Sequence, residues 1–295
     1  MEEPMDGNDW LVERFEEHRA HLRGVAYRML GSLSDADDAV QETWQRVSRA
    51  DTTAVENLGG WLTTITSRVC LNALRSRRTR GEEPLEARVP DPIVTRPQGG
   101  DPEQEVVLAD SVGLALLVVL ETLAPAERLA FVLHDLFAVP FDEIAPIVDR
   151  SPEATRQLAS RARRRVQGTA PVADADPARQ REVVDAFFAA ARGGDFDALV
   201  RLLDPDVVVR ADAGPHAATI IRGAEAVASR AIMFAQPMAT LVPALVNGAV
   251  GVVITVDGQP FAVMAFTVSN GRIVAVEALN DPDRLRQLDL PVLDD

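Results

Sequence analysis

The sequence predicts a multidomain chain: two all-α domains, a helical bundle and a helix-turn-helix, followed by an α+β domain. Three observations predict it. Apolar residues recur at three and four through most of the first 166 residues. After Pro177 one further helical stretch gives way to apolar strand-like runs separated by Asn247-Gly248, Asp257-Gly258 and Asn270-Gly271, pairs suited to tight hairpin turns. Two arginine-rich stretches sit in the helical part of a chain whose net charge is −15. Arg68 to Arg80 carries five arginines and no carboxylate; Arg150 to Arg165 carries six against the single acid Glu153. Such local charge points to two separate phosphate-facing surfaces on a protein that binds DNA poorly without help.

Composition narrows the function classes. At 295 residues the chain holds roughly two or three domains and a substantial core. No uninterrupted apolar run approaches the roughly 18 residues that span a bilayer, and the segment Met1 to Asp9 is acidic where a secretory leader is basic, so no membrane role is expected. A single cysteine allows no internal disulfide and fits the reducing cytoplasm. Cys70 reads as a small buried hydrophobe, with a redox switch as the sharper alternative. All 30 basic residues are arginine, so every side-chain cation is a planar fork suited to phosphates and base edges.

The elements follow in order. Residues 10 to 30 read as an amphipathic helix with Leu11, Phe15, His18, Leu22, Val25, Ala26 and Met29 inward. Ser34 is the expected N-cap of a second helix, whose apolar face is Ala36, Val40, Thr43, Trp44 and Val47 and whose outer face carries Asp38, Gln41, Glu42 and Gln45. A third helix runs from Leu58 to about Arg78, burying Leu58, Leu62, Ile65, Val69 and Ala73 and presenting Trp61, Arg68, Asn72 and Arg75. Residues 81–105 lose the periodicity to prolines, glycines and acids and form a linker too polar to build its own core.

Helical pattern resumes at Val106 and runs to Leu120. Ala126 to Leu136, then Phe141 to Val148, then a turn at Asp149-Arg150 lead to Ser151-Pro152, an N-cap followed by a first-turn proline. The helix that opens there turns Ala154, Leu158, Ala162 and Val166 inward and Glu153, Arg156, Gln157, Ser160, Arg163 and Arg164 outward, a helix-turn-helix with a basic second helix. Pro146 removes a donor from the first helix of the motif, which is expected to be short or kinked. Residues 169–177 form a second linker. Beyond it come helices at Arg179–Arg192, Phe196–Leu203 and Ala224–Phe234 and strands at Val207–Ala211, Leu241–Val246, Val250–Val256, Phe261–Val268 and Ile273–Leu279.

The outward residues of the helix-turn-helix are types that reach base edges and phosphates, and six cations beside one acid repel unless an anion is near. In the third helix an aromatic platform beside cations and an amide suits an unstacked single strand, although Trp61 taken alone also fits ordinary core packing. The acidic second helix is either a solvated face or a docking face for a basic partner; its Asp-x-Asp-Asp spacing is no calcium loop. In the C-terminal domain Asp206, Asp212 and His216 are of the right types for a general base, but no nucleophile-base pair is visible by spacing.

Taken together, Leu30 to Trp44 (LGSLSDADDAVQETW), Asn57 to Arg78 (NLGGWLTTITSRVCLNALRSRR) and Leu123 to Arg165 resemble regions 2 and 4 of bacterial sigma factors of the extracytoplasmic-function (ECF) type. The C-terminal part, ending in Asn280-Asp281-Pro282-Asp283-Arg284-Leu285, resembles the SnoaL-like cone-shaped extension of certain members. It departs from their pattern by an extra Asp281, by Arg284 where they have Lys, and by Ala211-Asp212-Ala213-Gly214-Pro215 and Arg88-Val89-Pro90-Asp91-Pro92 where they have glycine-richer and tryptophan-containing motifs.

The resemblance implies region 2 over residues 8–80, region 4 over 106–168 and a regulatory domain over 178–295. It implies docking of core RNA polymerase (β and β′ subunits) through Asp35, Asp38, Gln41, Glu42 and Trp44. It implies contact with the −10 promoter element through Asn57, Trp61, Arg68, Asn72, Arg75, Arg77 and Arg78, and with −35 DNA through Glu153, Thr155, Arg156, Gln157, Ser160, Arg161, Arg163 and Arg164. Asp212, Gly214, His216, Asn280, Pro282, Asp283, Arg284 and Leu285 fall in the segments that correspond to the extension's regulatory motifs, and the extension tunes activity in cis. No catalysis, cofactor or metal is implied. Two other readings stay open: a lone helix-turn-helix repressor with a sensor domain, and a DNA-binding fusion whose C-terminal domain binds or converts a small-molecule ligand.

Overall fold

The computed structural model describes residues 7–52, 55–80, 88–97, 113–169, 173–214, 217–235 and 238–293. Their contacts divide the chain into two units. The described residues of Met1–Glu83 and Leu120–Gly168 make the first; those of Pro84–Gln104, Ser111–Val119 and Thr169–Asp295 make the second.

In the first unit, α1 (Gly7–Leu30), α2 (Leu33–Val47) and α3 (Leu58–Thr79) form a bundle. Leu11, Phe15 and Leu22 of α1 meet Val40 and Val47 of α2 and Leu62 of α3. A buried Thr43–Thr66 hydroxyl pair at 3.1 Å joins α2 to α3, each hydroxyl also serving a carbonyl of its own helix. The N-cap of α2 is Ser32, whose Oγ accepts from Asp35 N, rather than Ser34, which is exposed; Gly31, at φ 70°, ends α1 immediately before it. Cys70 is fully buried, and burial pushes its thiol up to about 12, which leaves a packing residue rather than a redox switch.

α4 (Leu114–Glu121) begins in the second unit and ends in the first. α5 (Pro125–Phe131) continues into one wider π-helical turn, Val132–Leu136, and α6 (Phe141–Val148) and α7 (Pro152–Thr169) complete the helix-turn-helix. Pro146 lies inside α6, which spans only eight residues and ends on Asp149 at φ 55°. The bundle and the helix-turn-helix pack as one body. The Phe137 ring meets His21 edge-on at 5.2 Å and lies under the Arg28 guanidinium at 5.1 Å, and buried Arg128 donates from Nε to the Arg28 carbonyl.

In the second unit a seven-stranded sheet runs in the order β1 (Val94–Thr95), β4 (Ala239–Val246), β5 (Ala249–Val256), β6 (Gln259–Ser269), β7 (Arg272–Leu279), β2 (Leu203–Asp212), β3 (Thr219–Arg222). Strands β4 (Ala239–Val246), β5 (Ala249–Val256), β6 (Gln259–Ser269) and β7 (Arg272–Leu279) form the expected antiparallel meander. Both residues of each Asn-Gly or Asp-Gly pair have positive φ, as tight hairpins of this kind require. β2 (Leu203–Asp212) pairs in parallel with β7, so the sheet is mixed, and short β3 (Thr219–Arg222), not read from the sequence, closes that edge. Helices α8 (Pro177–Gly193), α9 (Phe196–Leu202) and α10 (Ala224–Met233) join one face of the sheet in a core that holds Val184, Phe187, Leu199, Val227, Val252, Phe266 and Val276.

The described part of the expected linker is not free chain. Residues 88–97 lie on the sheet unit and supply β1 (Val94–Thr95), paired antiparallel with Val246 and Leu245. Asn247 locks the register from both sides: its backbone N donates to Ile93 O at 2.8 Å and its Oδ1 accepts from Ile93 N at 3.0 Å. Val89 and Val94 are buried, so two valines in a polar stretch anchor it while the strand pairing satisfies the edge of β4.

Candidate functional site

The outer face of α2 forms as the sequence predicts. Asp38, Gln41 and Glu42 are exposed, with Glu42 paired to Arg46 one turn on. Two of the expected docking residues are engaged within the bundle. Asp35 pairs with Arg77 at 2.5 Å, and Trp44 packs on Phe15 at a ring separation of 5.0 Å.

On α3, Arg68, Asn72 and Arg75 lie exposed at helical spacing, with Arg78 beside them. Trp61 continues the stripe but is half-buried against the bundle core, so it packs while part of the side chain stays open to solvent. Asn57 is the N-cap: its Oδ1 accepts from Gly60 N at 3.0 Å. Arg77 turns back, donating to Asp35 and to the Leu30 carbonyl.

The second basic stretch is less free than its sequence implies. Glu127 accepts from Arg161 at 2.8 Å and from Arg165 at 3.4 Å, and Asp135 accepts from Arg163 at 2.5 Å. Acids more than twenty residues upstream are the anions that relieve arginine crowding, which local spacing could not reveal. Thr155 is buried, its hydroxyl donating to the Ser151 carbonyl, so it holds the start of α7 and does not face outward. The exposed stripe that remains is Glu153, Arg156, Gln157, Ser160 and Arg164. Arg156 is steadied over the Phe141 ring at 5.3 Å.

Several of the residues expected to be regulatory assemble around Arg284. Its Nη1 donates to Asp212 Oδ2 at 2.7 Å, and its Nη2 donates to Asp91 at 2.5 Å and to the Val89 carbonyl at 2.7 Å. Asp212 Oδ2 also accepts from Val89 N, and its Oδ1 accepts from Gly214 N. Burial opposes the Arg284 charge, but Asp91 and Asp212 outweigh it and hold the guanidinium above its usual value. Asn280 N donates to the Asp212 carbonyl. Asp281, extra relative to the expected motif, caps α11 (Pro282–Leu285) by accepting from Asp283 N and Arg284 N, which aims Arg284; Leu285 is buried below. Asp283 pairs with Arg286 at the surface, outside this network. Asp206 is exposed, and His216 lies outside the described residues. Val89, Asp91 and Asn247 are not among the expected site residues, although the first two lie in the segment compared with the tryptophan-containing motif and the third in a hairpin pair.

Beside this clamp a cavity of about 430 Å³ opens between α8, α10 and the sheet. Ala211 and Ala213 line it, with Asp212 between them turned to the clamp.

The helical segments match the protein families described as Sigma-70 region 2, over residues 14–80, and Sigma-70 region 4, over residues 113–166. The ECF RNA polymerase sigma factor SigJ of Mycobacterium tuberculosis is 40% identical over 290 residues, 92% of each chain. The probable ECF RNA polymerase sigma factor SigI of the same organism is 35% identical over 285 residues, 96% of this chain and 98% of its own. The crystal structure of SigJ superposes with a TM-score of 0.75 at 38% identity, covering 95% of this chain and 99% of that one. Similarity at this level runs through the C-terminal unit as well as the helical one, and the chain therefore belongs to the ECF RNA polymerase sigma factors, non-enzymatic factors of transcription initiation that bind core polymerase and promoter DNA.

Proposed function

We propose that the three exposed stripes divide the work of initiation. Asp38, Gln41 and Glu42 on α2 dock core polymerase. Trp61, Arg68, Asn72, Arg75 and Arg78 on α3 hold the melted −10 strand by stacking and phosphate contact. Glu153, Arg156, Gln157, Ser160 and Arg164 on α7 read the −35 duplex. The work takes place in the cytoplasm; among the described residues no helix is long and apolar enough to cross a membrane.

The C-terminal unit tunes this activity in cis, and the clamp is the observation that carries the reading. The chain between region 2 and region 4 passes through residues 88–97, and Arg284 ties that connector to the sheet. A domain that grips the connector limits how the two DNA-reading regions can be placed. Run-off transcription with core polymerase, comparing the full chain with a truncation after Gly168, tests it. The truncated form is expected to differ in promoter-dependent transcript yield; equal promoter binding and equal yield would remove cis-regulation.

A further inference from the structure

The cavity of the C-terminal unit has a lining that none of the promoter chemistry uses. Phe187, Phe188, Met264 and Val276 form an apolar wall, and its volume of about 430 Å³ falls within the range of small-molecule sites, roughly 300–1,000 Å³. Its rim is aromatic and open to solvent: Phe234 is 54% exposed and Phe261 41%. Exposed rings around a concave apolar surface mark a place that a ligand covers.

Charge narrows the ligand further. In a chain at net −15, the described residues of the lining include no carboxylate, while two cations, Arg192 and Arg230, contribute to it. Arg230 is held with its guanidinium 4.3 Å from the Phe234 ring centroid, which pre-orders the fork at the rim. Thr219 and Asn280 are the remaining polar lining residues. The described lining residues include no imidazole, phenol or carboxylate, and what is proposed for the cavity is binding alone.

We propose that this cavity binds a compact apolar molecule carrying one anionic group, of the aromatic carboxylate or sulfonate class, with its rings against Phe187, Phe188 and Met264 and its anion on Arg192 and Arg230. The ligand supplies a signal for the cis-regulation proposed above, and only that consequence rests on the regulatory reading. The route is short, because Ala211 and Ala213 touch the cavity on either side of clamped Asp212.

The test uses the full chain and two fluorescent probes of similar ring size: 8-anilinonaphthalene-1-sulfonate, which is anionic, and N-phenyl-1-naphthylamine, which is neutral. Both are expected to bind saturably, one per chain. Arg192→Gln with Arg230→Gln is expected to weaken the sulfonate about tenfold, the loss of a charge-assisted contact, and to leave the neutral probe within about twofold. Ala235→Trp, at a half-buried lining position, is expected to displace both probes while thermal unfolding stays cooperative. Equal loss of both probes in the arginine variant, or none, overturns the anionic class. Undiminished binding in a folded Ala235→Trp protein overturns the site; if that variant does not fold, the arginine variant, which alters no buried side chain, still decides. Saturable, arginine-dependent sulfonate binding with unchanged run-off transcription supports the site and counts against the regulatory reading alone.

Discussion

Arg284 Nη1 lies 2.7 Å from Asp212 Oδ2, and the same guanidinium reaches Asp91, 193 positions earlier in the chain. One side chain therefore joins the end of β2 to the segment that connects the two DNA-reading regions. Both carboxylates are mostly shielded from solvent, and both are ion-paired to this one guanidinium.

Arg284→Ala leaves those two acids without their cation, a loss on the order of 3 kcal/mol. Urea unfolding should show the C-terminal transition at lower denaturant, and trypsin should cut after Arg88 faster than in the wild-type chain. Arg284→Lys keeps the charge but not the fork and should fall between the two.

On α7, Arg164→Ala should weaken holoenzyme binding to promoter DNA and lower the slope of log K against log salt by about 1. Arg163→Ala should do less, because Asp135 already neutralises that guanidinium at 2.5 Å. Equal effects at the two positions would mean that the Asp135 pair opens on DNA.

On α3, Arg75→Ala should reduce permanganate-reactive thymines at the −10 element without shifting the thermal midpoint, since Arg75 is exposed. Trp61→Ala should reduce both promoter melting and stability, the latter by about 1–3 kcal/mol, because the ring also packs on the bundle core.

Glu277 is buried beside Arg210 at 3.5 Å, and burial, only partly offset by that arginine, pushes its carboxyl up to about 7. A folded-state pKa above the ordinary 4.5 means that the folded chain holds the proton more tightly. Stability from this group is complete below the unfolded-state pKa, is lost as pH rises toward 7, and stays lost above it. Carbon-13 NMR of the Glu277 carboxyl should show a midpoint near 7; a midpoint near 4.5 would indicate that Arg210 compensates the burial in full.

Gly251→Ala should destabilise the sheet by about 1–3 kcal/mol in chemical denaturation. A Cβ there would lie 2.5 Å from the Met264 carbonyl oxygen, and Arg181 already donates to the Gly251 carbonyl from the helix side.

Much of this architecture was legible in local pattern. The apolar stripes of α1 to α3, the Ser151-Pro152 helix start and the three hairpin pairs each depend on residues within one or two turns of chain. What escaped depends on distant partners. Glu127 and Asp135 neutralise arginines 28 to 38 positions away, and Asp35 takes Arg77 from the DNA-facing set across 42. β1 is two residues long and exists because β4 offers an edge, so no propensity marks it. The motif ending at Leu285 was legible as a motif, but the contacts that Arg284 makes depend on Val89 and Asp91 arriving from nearly two hundred positions earlier in the chain.

By the cis-regulation proposed above, the Arg284 clamp on the region 2–region 4 connector restrains initiation. Run-off transcription with core polymerase, at matched concentrations of wild-type and Asp91→Ala proteins that bind polymerase equally, tests it most directly. Asp91→Ala is expected to give a several-fold higher transcript yield, about what 1 kcal/mol of released restraint provides. An unchanged yield, with faster tryptic cleavage after Arg88 showing that the connector has been freed, would mean that the clamp does not restrain initiation.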